Sequence, residues 1–91
     1  MSVDADFVPK LARKVRLKFD RHEQKHMLIY PERGLVLNDS AAAIAKRCDG
    51  TRSIATIAEE LAAEHGAVRD EIQRDVIAFV EDLFAKNLLE R

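Results

Sequence analysis

The hydrophobic period of this chain changes once, at Asn38, and that change sets the order of its secondary structure. Before it, Val15-Arg16-Leu17-Lys18-Phe19-Asp20 alternates apolar and polar residues, the period of a strand with one face on a core. After it, apolar residues recur at three- and four-residue spacing, the period of amphipathic helices. A chain of 91 residues has room for one modest core. The expectation is one domain over residues 1–91, an α+β fold with three strands followed by three helices on one face of the sheet. Residues 1–10 contain Pro9 and show no period, so they read as a loosely ordered lead-in.

In the front half, Val15, Leu17 and Phe19 are expected to face the core, and the polar stretch Arg21 to Lys25 to turn. Met27-Leu28-Ile29-Tyr30 is an unbroken apolar run, which suits a central strand covered on both sides. Pro31-Glu32-Arg33-Gly34 supplies turn chemistry. Leu35-Val36-Leu37 then completes an antiparallel meander.

In the back half, Asn38, Asp39 and Ser40 are helix-capping types. Ala41, Ile44, Ala45 and Cys48 fall on one helical face, and Asp49-Gly50 is expected to end that helix. Ser53 caps a second helix whose inward face is Ile54, Ile57, Ala58 and Leu61, and Gly66 closes it. The third helix runs from about Arg69 to Lys86. Its apolar residues Ile72, Val76, Ile77, Phe79, Val80, Leu83 and Phe84 span roughly 160° of the helical wheel. Leu88 and Leu89 are expected to fold back onto the core.

The residues carry no enzyme signature: no phosphate loop, dinucleotide fingerprint or nucleophile elbow is present. The single cysteine, Cys48, excludes an internal disulfide and lies on an apolar helix face, where a thiol is inert. His22, His26 and His65 match no zinc spacing. Neither a cofactor nor a metal is expected. The net charge of −1 and the acidic second and third helices argue against nucleic acid. No stretch approaches a membrane span, and no apolar run suited to export opens the chain, so the default is a reducing, cytoplasmic location.

Two features point to binding. Lys14, Arg16 and Lys18 guard the first strand, whereas Leu35-Val36-Leu37 carries no charge; an unguarded edge accepts another chain as an added strand. The apolar arc of the third helix is also wider than one seam needs, with Ile77 and Phe84 toward one margin and Phe79 toward the other. One margin is expected to line a groove beside the third strand. The open edge admits a second copy as well, giving a homodimer.

The ordered set of segments resembles the PqqD family of pyrroloquinoline quinone (PQQ) biosynthesis. Pro9-Lys10-Leu11, Val15 to Asp20 and Tyr30-Pro31-Glu32-Arg33-Gly34-Leu35-Val36-Leu37-Asn38 are similar to its front half. Ala41 to Ile44, Cys48 to Ile54, and Asp75-Val76 to Asn87-Leu88-Leu89 resemble its middle and end. The resemblance implies a winged-helix-like fold, the recognition element of ribosomally made, modified peptides. It implies a peptide chaperone, not an enzyme. A precursor peptide (PqqA-like) would add beside Leu35, Val36, Leu37 and Asn38, in a cleft against the third helix at Ile77, Phe79 or Phe84. The holder would associate with a radical SAM enzyme (PqqE-like) that keeps its own cluster, since one cysteine cannot hold one. The alternatives are a recognition domain for a different modified peptide and a winged-helix DNA-binding protein.

Overall fold

The computed structural model describes residues 3–31 and 33–90. Three strands, β1 (Arg16–Asp20), β2 (Lys25–Tyr30) and β3 (Arg33–Leu37), precede three helices, α1 (Asp39–Lys46), α2 (Ile54–His65) and α3 (Arg69–Ala85). The sheet is antiparallel in the order β1-β2-β3. The expected α+β architecture is the one found.

Register explains which side chains are covered. Leu17 lies opposite Leu28, and Leu28 opposite Leu35. With Leu37 and Tyr30 they share the inner face, because alternate residues point to one side. Leu28, Val76, Val80 and Leu83 are fully buried in one core with Ile54, Ile57 and Leu88. α2 packs along α3, and α1 is the helix whose backbone comes closest to β2 and β3.

Local chemistry sets the helix ends. Asn38 Oδ1 accepts from the Ala41 N–H at 2.8 Å, and Ser53 Oγ accepts from the Thr56 N–H at 3.2 Å. Gly66 closes α2 in the left-handed conformation, which glycine adopts without steric cost. α3 ends in a Schellman motif: the Leu88 N–H reaches Leu83 O at 2.9 Å, the Asn87 N–H reaches Phe84 O at 3.0 Å, and Asn87 has φ 59°. That turn drives Leu88 and Leu89 into the core, where both are buried.

Several expectations are corrected. Phe19 points to the inner side but is 43% exposed; α1 approaches β2 and β3, and the cover of Phe19 is the His26 ring at 4.9 Å. β2 is central but covered on one face only, the face carrying Leu28, and Ile29 on the opposite face is exposed. Gly34 is a residue of β3, not of the turn; it leaves room for Met27, whose Cε would stand 3.0 Å from a Cβ there. α1 stops at Lys46, before Gly50. Gly50 (φ 85°) serves a crossing instead: its N–H donates to Pro9 O at 3.0 Å, and a Cβ would meet Lys10 Cδ at 2.9 Å.

That crossing belongs to the opening segment, which is tied down along much of its length rather than loose. Ile54 N–H donates to Phe7 O (2.9 Å), Leu11 N–H to Cys48 O (3.0 Å), Ala12 N–H to Leu88 O (2.8 Å) and Glu90 N–H to Lys10 O (2.8 Å). Arg47 and Arg52 both bond Glu60, Arg47 also bonds Glu64, and Arg52 also bonds Asp49. This network joins α1 and the following loop to α2.

Candidate functional site

The sequence-selected edge is geometrically open. Among the described residues β3 pairs with β2 alone. The segment after α3 does not cover it: Leu89 bridges to Leu11, on the chain's opening segment. In an antiparallel sheet, alternate residues of an edge strand direct both N–H and C=O away from the neighbour. β3 therefore offers a foreign backbone a row of donors and acceptors.

Its side chains divide by face. Leu35 is half-buried and Leu37 buried on the inner side, while Val36 is 55% exposed on the outer side. Asn38 is exposed at the end of the strand, with its Oδ1 held by the α1 cap. The strand thus combines fixed inner anchors with one free apolar side chain.

The two margins of α3 have different surroundings. The Phe84 ring sits 5.1 Å from that of Phe7, so the opening segment already covers Phe84. Ile77, seven residues earlier, lies about 20° from it on the wheel. Phe79 lies on the other margin, about 20° from Ile72 by the same spacing. Ile72 and Asp75 line an apolar groove of about 60 Å³ with Ser40, Ala43 and Ile44 of α1 and Leu61 of α2. This groove begins three residues after the end of β3. Phe79 and Ile77 are both partly buried against the core. Ser40, Ala43 and Ile72 were not singled out for binding from sequence. Their helical spacing marks them as packing positions, and only the approach of α1 to α3 makes them a wall.

Burial pushes the Cys48 thiol up to about 12, with Asp49 adding to the shift, and Cys48 Sγ donates to Ile44 O at 3.3 Å. Glu60 is held below the usual carboxylate range, chiefly by its hydrogen bond from Arg47. The Cys48 thiol acts in packing, and Glu60 in the ion-pair network with Arg47 and Arg52.

A family model described as coenzyme PQQ synthesis protein D (PqqD) matches residues 25–89. The chain is 44% identical over 88 residues to the PqqA binding protein of Xanthomonas oryzae pv. oryzae (strain PXO99A), covering 97% of this chain and 96% of that one. It superposes with TM-score 0.86 and 38% identity on the solution NMR structure of the PqqD truncation of Methylobacterium extorquens PqqCD, a functional and stand-alone recognition element for ribosomally synthesised, post-translationally modified peptides (RiPPs). That match covers 97% of this chain and 94% of that one. Lasso peptide synthetase B1 complexed with the leader peptide shares the fold at TM-score 0.78 and 23% identity, over 93% of this chain and 100% of that one.

Three antiparallel strands followed by three helices, with β3 at a sheet edge, define the class: the domain has the fold of a RiPP recognition element. Within that class, the family match over most of the chain and the identity to its relatives are decisive. The chain belongs to the PqqD family.

Proposed function

We propose that this protein is a peptide chaperone of PQQ biosynthesis, which binds the precursor peptide PqqA as an added strand on β3 and presents it to the radical SAM enzyme PqqE. The observation that carries the reading is the edge of β3, which among the described residues pairs with β2 alone, in a chain whose curated relative is a PqqA binding protein.

In this reading Leu35, Val36, Leu37 and Asn38 form the receiving edge. Backbone hydrogen bonds supply affinity and alternate side chains supply selectivity. On α3, Ile72 lines the groove, Phe79 lies on the same margin of the helix one turn beyond the groove, and Ile77 and Phe84 lie on the margin facing the opening segment. The protein makes and breaks no covalent bond. It holds a flexible peptide at high effective concentration beside the enzyme and reduces the ordering left to be done there. It works in the cytoplasm, without cofactor or metal of its own. A second copy would compete with the peptide for the same edge, so pairing of two copies through β3 and peptide binding exclude each other. The DNA-binding alternative is disfavoured by α3, which carries Asp70, Glu71, Asp75, Glu81 and Asp82 against Arg69 and Arg74; phosphate contacts need the opposite balance.

The test is titration of 15N-labelled protein with PqqA. The largest amide shifts are expected along Gly34 to Asn38 and around Phe79. Shifts confined to β1 would reject the choice of edge, and absence of binding would reject the function.

A further inference from the structure

The sheet face away from the helices has an order of its own. Register places Arg16 beside Ile29 and Ile29 beside Gly34; the next row reads Lys18, Met27, Val36. Each row is basic on β1, apolar on β2, and small or apolar on β3. Ile29 is 37% and Val36 55% exposed, and Met27 lies against the bare Gly34. Lys25, also on this face, adds a third cation.

Among the described residues these cations have no carboxylate within ion-pair distance; of the helical cations Arg47, Arg52, Arg69 and Lys86 are paired, and Lys46 and Arg74 are not. The acid on the face, Asp20, accepts instead from the backbone N–H groups of His22 and Glu23 at 2.9 and 3.3 Å. Edge protection accounts for Arg16 and Lys18. It does not account for the apolar side chains left in water.

We propose that this outer face docks an acidic protein surface, with Met27, Ile29 and Val36 as the apolar contact and Arg16, Lys18 and Lys25 as its charged rim. The inference rests on the peptide-holding reading in naming the occupant: the enzyme that receives the peptide. Charge complementarity selects the partner's sign, and the apolar centre selects protein over nucleic acid. Continuity supplies the purpose. A peptide added to β3 extends the same rows, so its outward side chains stand next to Val36. A partner seated on the face touches holder and peptide together, and each raises the affinity of the other.

The experiment uses the full chain, PqqA peptide and a PqqE-type radical SAM enzyme. The Arg16→Glu/Lys18→Glu variant and, separately, Ile29→Ser are compared with the unaltered protein after circular dichroism confirms folding. Expected is a loss of about tenfold or more in enzyme affinity for the charge variant and a smaller loss for Ile29→Ser. For the charge variant peptide affinity should stay within about twofold, because Arg16 and Lys18 lie on β1, separated from the β3 edge by β2. Enzyme affinity should rise when peptide is present. Unchanged enzyme binding by the folded charge variant overturns the inference. So does failure of the unaltered protein to bind enzyme, or capture by phosphatidylglycerol vesicles in its place. Loss of peptide binding with enzyme docking intact would instead overturn the functional reading and leave the docking face standing.

Discussion

Phe7 and Phe84 meet with ring centroids 5.1 Å apart and planes tilted by 49°, a geometry that favours aromatic pairs. The pair fastens the opening segment to the last turn of α3 and occupies one margin of that helix. Replacing Phe7 by Ala is expected to destabilise the fold by about 2 kcal/mol, through lost ring contact and a partial cavity. PqqA affinity should change little where the variant remains folded. Chemical denaturation and calorimetric titration check the two halves separately.

The opposite margin carries the contrasting expectation. Phe79→Ala should weaken PqqA binding by about tenfold, in the range of a truncated aromatic contact, while Ile77→Ala should weaken it by no more than about twofold. Calorimetric titration of the two folded variants checks this; equal losses would assign both margins to the groove.

Strand addition has a direct signature in amide exchange. Alternate amides between Arg33 and Leu37 point away from β2 and should exchange rapidly in the free protein. Saturating PqqA should slow those amides by about tenfold or more, leaving the alternate set little changed. Uniform protection of the strand, or none, would show that the peptide does not pair there.

Asn38 combines a cap with an exposed position at the strand's end. Asn38→Ala should cost about 1 kcal/mol of stability, whereas Asn38→Asp should retain the cap. Thermal melting reads the difference. A drop in peptide affinity shared by both variants would mark the side-chain amide as a peptide contact.

Cys48 should not react with a disulfide reagent at pH 8 in the folded protein, and should react readily once unfolded. Burial, with Asp49 adding to it, pushes the thiol up from its ordinary 9.0 to about 12, so the folded state holds the proton more tightly. The stability associated with the protonated thiol is therefore fully present below pH 9 and is lost as pH climbs from there toward 12. Denaturation midpoints measured across that range should fall.

How much was legible follows from the reach of each signal. Strand and helix placement came through because burial on one face leaves a periodic trace, and Asn38, Ser53 and Gly66 were readable because capping is local chemistry. Phe19 misled because alternation reports which side a residue faces, not how far the helices extend over the sheet. Gly34 and Gly50 misled for a related reason: Met27 and Lys10, their neighbours in space, are remote in sequence. The open edge was visible in the absence of charge on β3. The groove wall of Ser40, Ala43 and Ile72 was not, because it exists only once α1 and α3 are assembled.

Residues 10–12 and 88–90 are joined to one another by backbone hydrogen bonds on the far side of the core. While these bonds hold, neither stretch is free to fold over β3. Vacancy at the rim is thus maintained by the architecture itself: self-occupation would demand that this knot first come undone, whereas an incoming stranger meets no such toll.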